Sequence, residues 1–247
     1  MEVHAHTHTA RRKWTHYFWE FLMLFLAVFC GFLAEYQLEH KIERQREKQY
    51  MQSFIYDLEN DTLNLNAGFP LKDQRMRAID SVFLYFESNP NTNKVPGAIV
   101  RHMRRTIWDR YYRRNSTTID QLKNAGGLRL IRKKNVRDSI ASHDLMWQRA
   151  EFWQEGYITL QEKGKDFLLK ILTAQEFLIR YRTKADIFSR TEIDNLSYTI
   201  NMEHLNEYLN FIGNQTISTR QDKRGYQAIG ESTERLIELI KKEYHLK

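Results

Sequence analysis

The chain has 247 residues, of which 42% are hydrophobic and 28% are charged, which is enough for one sizeable core. Glycine (10) and proline (3) are together less than half as frequent as the roughly 12% of an average protein. So few turn-forming residues argue against sandwiches, barrels and Rossmann sheets. A single cysteine excludes a disulfide framework and a zinc-ribbon site.

An apolar segment near the amino terminus predicts a transmembrane helix. Residues 18–34 read FWEFLMLFLAVFCGFLA, with Glu20 as the only charge. Together with its aromatic flanks the segment covers 14–36, and about 20 helical residues span a bilayer core of roughly 30 Å. A buried core helix is the alternative, but such helices are rarely apolar on every face. The bulky Phe32 opposes signal-peptide cleavage after Ala34, so we predict an uncleaved anchor.

The positive charges around this segment predict its orientation. The short tail 1–13 ends in Arg11, Arg12 and Lys13, directly beside the apolar segment. Four basic residues follow on the other side at a greater distance: Lys41, Arg44, Arg46 and Lys48. Because the nearer cluster favours the cytoplasmic side, we expect a cytoplasmic tail and a large domain outside the membrane, although the counts are nearly equal.

Two motifs resemble a family of bacterial proteins. The first is RRKWTHYFWEFLMLFLAVFCGFLAEYQLEHKIERQREKQY at 11–50, after a His-bearing tail, and the second is TTIDQLKNAGGLRLIRKKNVRDSI at 117–140. Both resemble recurrent motifs of an uncharacterised family of Bacteroidota membrane proteins. The resemblance implies a single-pass inner-membrane protein with a helical domain, periplasmic in a Gram-negative cell, and no assigned activity. Ala125 stands where the family pattern has serine.

Helical periodicity continues after the apolar segment. Residues 37–49 are almost wholly polar and predict a charged helical stalk, and 50–247 predict an antiparallel helical bundle. We predict an all-α fold with a helix from 50 to 65, a break at 66–70, a loop at 88–97, and further helices over 71–87, 99–114, 117–126, 136–154, 157–181, 202–212 and 229–244. Ser116 or Thr117 is expected to cap the short helix, and Gly126-Gly127 to end it.

Positive charge is concentrated in one region. The segment 97–137 holds twelve basic and two acidic residues, a net charge of +10, so the rest of the chain carries −3 of the total of +7. We predict that six of its arginines bind anionic lipid or a partner: Arg101, Arg104, Arg105, Arg110, Arg113 and Arg114. The alternative is that they pair with acidic residues of neighbouring helices. The interleaved Arg104, Arg105, Trp108, Tyr111 and Tyr112 are typical of nucleic-acid binding, which an extracytoplasmic domain disfavours.

The apolar segment also predicts self-association. Glu20, Ala27, Gly31 and Ala34 lie along one helix face, and Ala27-x-x-x-Gly31 allows two helix backbones to approach closely. In the alternative, Glu20 reaches the headgroups and Gly31 is incidental.

Residues that could carry chemistry are few. His4, His6, His8 and His16 lie in or near a tail without fixed geometry, so we predict no metal site. His143-Asp144 has no nucleophile at a telling spacing, and the sequence lacks the common metalloprotease, P-loop, hydrolase and redox motifs.

We therefore predict no cofactor and no enzymatic activity. The function expected is that of a membrane-anchored interaction or scaffold protein with an unidentified protein partner. The alternative is a helical sensor or lipid-contacting regulator that signals through the stalk.

Overall fold

The computed structural model describes residues 14–124, 126–184, 194 and 196–246. In these residues the order of elements is α1 (Trp14–Ser88), β1 (Lys94–Pro96), α2 (Gly97–Ile107), α3 (Thr117–Asn124), a 3₁₀ turn (Gly127–Arg129), α4 (Lys134–Ile171), α5 (Gln175–Thr183), β2 (Ser197–Thr199) and α6 (Leu205–Tyr244). The predicted all-α fold is confirmed. The tail histidines His4, His6 and His8 lie outside the described residues.

The chain divides into two compact units, Met1–Gln49 and Tyr50–Lys247. In the first unit, the described residues are helical and almost all exposed. By length and composition this part of α1 could cross a membrane, and none of its most apolar stretch is buried within the structure. The rings of Phe21, Phe25 and Phe29 stack in succession, with centroids 6.3 and 5.9 Å apart.

Three long helices form the frame of the second unit: the carboxyl-terminal part of α1, α4 and α6. Lys241 of α6 pairs with Glu59 of α1 at 3.2 Å, and Lys223 pairs with Asp73 at 2.5 Å. Residues late in α6 therefore meet residues early in this part of α1, so the two helices run antiparallel.

Helix α4 also runs antiparallel to α6. His143 lies 3.1 Å from Ser232 Oγ, and the hydroxyl of Tyr157 lies 3.3 Å from that of Thr219. Helices α1 and α4 are thus parallel to each other and antiparallel to α6, as expected for a bundle core.

Apolar and polar layers alternate along this bundle. One apolar cluster forms around Met51, Phe54, Leu58, Ile140, Leu236 and Ile240, a second around Leu65, Tyr112, Trp147, Tyr226 and Ile229, and a third around Ile79, Val82, Met103, Leu168, Tyr208 and Ile212. Polar side chains occupy the intervening positions on all three helices. The first polar layer contains Asp57, Asp61, Arg114, His143 and Asp144; the second contains Lys72, Arg75, Asp109, Tyr157, Thr219 and Asp222.

A small sheet closes one end of the third cluster. Strands β1 and β2 pair antiparallel, with Val95 opposite Tyr198, and both side chains are buried. An isolated bridge joins Leu172 to Ile200, and Asn201 N–H donates to the Ile171 carbonyl at the end of α4. The sequence predicted only a loop where β1 forms, because three residues carry too little pattern.

Several predicted helix boundaries are wrong. Helix α1 continues through the expected break at 66–70, α4 continues through Gly156 and ends at Ile171, and α6 joins the helices predicted at 202–212 and 229–244. Helix α2 ends at Ile107 rather than at 114.

The expected glycine stop after α3 is confirmed, since Gly126 has a φ of 65°. Neither Ser116 nor Thr117 supplies the expected cap of α3. The first amides of the helix are instead held by Asn115 Oδ1, which accepts from Thr117 N–H, and Asp57 Oδ2, which accepts from Thr118 N–H.

Candidate functional site: two cavities beside a buried charge cluster

The six arginines of the basic segment are separated by the fold. Arg101 donates to Asp194 at 3.0 Å, and Arg104 is buried with its guanidinium 4.0 Å from the centroid of the Phe177 ring. Arg114 pairs with Asp144 at 2.5 Å and with Glu151 at 3.2 Å. These three arginines have intramolecular contacts of the kind that the alternative interpretation described.

The other three arginines have a different environment. Arg105 is half-buried and donates to Gln74 at 2.5 Å, whereas Arg110 and Arg113 are exposed. Of the aromatic residues interleaved with them, Trp108 and Tyr111 are partly exposed but Tyr112 is buried. Because Arg104 and Tyr112 are buried, the interleaved residues do not form one surface of cations and rings.

The second polar layer contains a buried charge cluster, which we define as Lys72, Arg75, Asp109 and Asp222. Lys72 Nζ lies 2.5 Å from Asp222 Oδ2 and 3.1 Å from Asp109 Oδ2. Arg75 Nη1 lies 3.0 Å from the same Asp109 oxygen. Two cations and two carboxylates thus compensate one another, as burial of charge requires.

Neutral groups complete the coordination of Arg75. Its Nε donates to the carbonyl of Thr106 at 2.6 Å, and its Nη1 donates to Thr219 Oγ1 at 2.9 Å and to the Tyr157 hydroxyl. Tyr157 in turn donates to Asp109 at 3.1 Å. Helices α1, α4 and α6 and the segment after α2 therefore meet at one guanidinium group.

Burial dominates the electrostatics of the charge cluster. It raises the pKa of Asp222 above the ordinary value for a carboxyl group, although the nearby Lys72 opposes this shift. It also lowers the pKa of Arg75, while Asp109 favours the charged form. The guanidinium stays protonated in any accessible pH range.

An open groove lies between α4 and α6, with a volume of about 550 Å³. We call it the α4–α6 groove; its lining residues are Ala150, Trp153, Gly156, Tyr157, Leu160, Ser218, Gln221, Asp222, Gly225 and Tyr226. A Cβ atom added at Gly156 or Gly225 would meet nothing within 4 Å. Small residues on the two facing helices therefore leave the space open, and Trp153, which is 73% exposed, stands at its side.

A second cavity lies where α2 ends. It has a volume of about 280 Å³ and is lined by Leu71, Arg105, Trp108, Asp109 and Arg110, and we call it the Trp108 pocket. The charge cluster contributes Asp109 to this pocket and Asp222 to the α4–α6 groove.

The first polar layer fixes the segment before α3. Asp61 Oδ1 accepts from the Asn115 amide at 2.7 Å, and Asp57 Oδ1 accepts from the Asn115 side chain at 2.7 Å. Burial raises the pKa of Asp61 to about 7, and repulsion from Asp57 adds to the shift. This carboxyl group therefore takes up a proton near neutral pH.

His143 and Asp144, which were weighed as an acid–base pair, contact structural partners. Trp147 Nε1 donates to His143 Nε2 at 3.2 Å, and Ser232 lies on the other ring nitrogen. Burial lowers the pKa of His143 to about 4, so the ring is neutral at pH 7. Although burial alone would raise it, hydrogen bonds from Lys123 and Arg114 lower the pKa of Asp144.

The face of Glu20, Ala27, Gly31 and Ala34 lies in the first unit, in the exposed part of α1. At 100° per residue this face is opposite the stacked rings of Phe21, Phe25 and Phe29. A Cβ atom added at Gly31 would meet nothing within 4 Å. The segment thus has one small face and one aromatic face. Among the described residues, no group of acidic, histidine and cysteine side chains could hold a metal ion.

Comparison of the chain with models of protein families, with curated proteins and with solved structures finds no match. The resemblance to a Bacteroidota membrane protein family stays a prediction.

Sequence reasoning did not identify the charge cluster or either cavity. Lys72 and Arg75 are ordinary helix residues in the sequence, and Asp109 and Asp222 stand far away along the chain. The one available signal was the pair of acids, Asp109 and Asp120, within the basic segment. The glycines of the groove, Gly156 and Gly225, suggested helix ends instead.

Proposed function

We propose that this protein is a membrane-anchored, non-enzymatic interaction protein whose domain 50–247 binds a partner protein through the α4–α6 groove. The observation that carries the proposal is the hollow between Gly156 and Gly225 beside the exposed ring of Trp153. Tryptophan is enriched among residues that dominate the energy of protein interfaces. A helix surface without side chains beside such a ring accepts a bulky side chain from outside.

The groove also limits the chemistry of the partner. The stretch from Ala150 to Leu160 extends about 15 Å along α4, which corresponds to two to three turns of a partner helix. Asp222, whose side chain is 22% exposed, is the only ionisable acid or base among the lining residues apart from the tyrosines. We therefore expect a segment that inserts an apolar side chain and carries no acidic residue beside it.

Filling the groove tests the proposal. The full chain with Gly156→Leu or Gly225→Leu has room for the new side chain within the structure, but the groove is then occupied. Thr159→Leu and Gln227→Leu add the same side chain at exposed positions outside the groove and are the matched controls. After affinity purification in mild detergent, we expect the partner to be lost with both glycine variants and retained with both controls.

A photo-crosslinking residue at position 153 gives a second readout. The co-purifying protein should be crosslinked from this position in the wild-type background and lose the crosslink with Gly225→Leu. Equal recovery of the same proteins from all four variants would refute an interaction through the groove.

We further propose that the tail 1–13 is cytoplasmic and that the domain lies outside the cytoplasmic membrane. The proposal is supported by the basic residues Arg11, Arg12 and Lys13 directly before the apolar segment. Alkaline phosphatase fused after Lys247 should be active, and a fluorescent protein that matures only in the cytoplasm should be dark there. The reverse pattern would place the domain in the cytoplasm and restore nucleic acid as a partner of the basic segment.

A further inference from the structure

The Trp108 pocket forms because the chain leaves the helix at the end of α2. Ile107 is the last helical residue, and Trp108 has extended backbone angles of φ −97° and ψ 125°. The residues after it turn over Leu71 of α1, which leaves a cavity of about 280 Å³. Since a water molecule in the liquid takes up about 30 Å³, this space admits a small anion with part of its hydration shell.

Cations surround this cavity on more than one element. Arg105 of α2 and Arg110 line it, and Lys165 Nζ of α4 lies 5.6 Å from the centroid of the Trp108 ring. The contact between Arg105 and the Gln74 amide orients the guanidinium without adding a charge. Lys165 also has an acidic neighbour, Glu162, at 2.5 Å.

The one acid in the lining does not cancel these charges. Asp109 is buried, and its Oδ2 atom already lies within 3.1 Å of Lys72 and 3.0 Å of Arg75. In addition, Arg75 Nη2 is buried without a hydrogen-bond partner among the described residues. The wall that contains Asp109 is therefore positive behind the carboxylate as well as beside it.

Two guanidinium groups at one cavity match an oxyanion with several acceptor oxygens. Arginine presents parallel N–H groups that fit carboxylate and phosphate, and a phosphate carries more charge than a carboxylate. We propose that the Trp108 pocket binds a phosphate group, with Arg105 and Arg110 as its ligands and Lys165 at its edge. The group belongs to a free phosphate or to a lipid headgroup.

The experiment compares two double variants of the full chain in a neutral detergent at constant ionic strength. Arg105→Gln/Arg110→Gln removes the two ligands, and Arg113→Gln/Arg129→Gln removes two exposed arginines of the same basic segment outside the pocket. Titration calorimetry with inorganic phosphate and, separately, with a water-soluble short-chain phosphatidylglycerol measures each dissociation constant. We expect the first variant to bind at least tenfold more weakly than wild type and the second less than twofold.

The single variant Arg110→Gln keeps the test valid if the double variant fails to fold, because Arg110 is exposed and only its backbone N–H contacts Asp109. We expect it to weaken binding at least threefold. Binding of inorganic phosphate with this dependence would identify a free phosphate as the ligand, and binding of the lipid alone would identify a headgroup. Equal weakening in both double variants, or no binding of either probe, would overturn the proposal.

Discussion

Two buried side chains of the first polar layer have pKa values displaced toward each other's range. Asp61 and His143 border the same small cavity, of about 10 Å³. The pKa of Asp61 is raised to about 7 and that of His143 is lowered to about 4, in both cases mainly by burial. Both groups are thus neutral in the folded protein near pH 6, where a free aspartate would be charged and a free histidine largely so.

His143 should make the protein less stable at acidic pH. Its folded pKa of about 4 lies below the unfolded value of 6.5, so its contribution is complete above pH 6.5 and is lost as the pH falls toward 4. The full effect is up to about 3 kcal/mol. In urea unfolding, the stability difference between wild type and His143→Gln should therefore shrink from pH 7 to pH 4.5. A difference that does not depend on pH would contradict this.

Asp61 should act in the opposite direction. Its folded pKa of about 7 exceeds the unfolded value of 3.8, so its contribution is complete below pH 3.8 and is lost as the pH rises through 7. Asp61→Asn should become more stable relative to wild type between pH 4 and pH 8, by up to about 4 kcal/mol. The exposed Asp80→Asn is the control and should show little change.

Gly68 is a contact point between α1 and a buried ring. A Cβ atom added at Gly68 would overlap the Tyr112 ring, whereas one added at the open Gly156 would meet nothing. Gly68→Ala should lower the free energy of unfolding by about 1–3 kcal/mol through overpacking. Gly156→Ala should instead raise it by up to about 1 kcal/mol through helix propensity. Urea denaturation measures both, and destabilisation of equal size would contradict the assignment.

At the scale of elements, helix α1 continues through Pro70. Proline lacks the N–H that would bond to the carbonyl of Asn66, and in a helix interior it costs about 3 kcal/mol. The helix nevertheless continues because Leu65 is buried on one side and Lys72 and Arg75 are buried on the other. Tertiary contacts on both sides of the proline outweigh its local cost.

Replacing this proline should therefore stabilise the domain. Pro70→Ala should raise the free energy of unfolding by about 2 kcal/mol, since part of the gain is offset by greater freedom of the unfolded chain. Arg77→Ala, at an exposed position of the same helix, should change it by less than about 0.5 kcal/mol. A less stable Pro70→Ala variant would show that the proline is required for the local geometry.

The sequence predicted helices well where their buried faces are apolar. Within α6, Ile229, Leu236 and Ile240 are buried at helical spacing, and this part was predicted. The preceding part was missed because its buried positions are Gln215 and Thr219, which carry no apolar periodicity. Polar layers thus explain why the prediction divided α6 into two helices.

The candidate site was predicted least well, for a related reason. Composition identified the basic segment, but not which arginines face outward, since Arg104 and Arg110 are alike in the sequence and opposite in burial. The α4–α6 groove depends on Gly156 and Gly225 facing each other across two helices that are distant in the chain. Such a juxtaposition is a property of the fold and has no local pattern.

At the scale of the whole molecule, the apolar segment predicts assembly in a membrane. The open small-residue face of Ala27 and Gly31 favours close approach of two helices, which is worth about 1–2 kcal/mol per polar or packed contact. Gly31→Leu should reduce dimerisation in a membrane two-hybrid assay, whereas Val28→Leu, on another face, should not. Equal signals from both variants and wild type would mean that the segment is only an anchor.

The first apolar cluster has a consequence for biosynthesis. Met51 and Phe54 begin the domain, yet they pack against Leu236 and Ile240 close to the end of the chain. A ribosome adds roughly 5–20 residues per second, so on the order of 10 s or more separates the emergence of the two sides. During this interval the apolar side chains at the start of the domain lack their native cover. Completion of the chain, and not the emergence of any single helix, is therefore the event that allows the domain to fold.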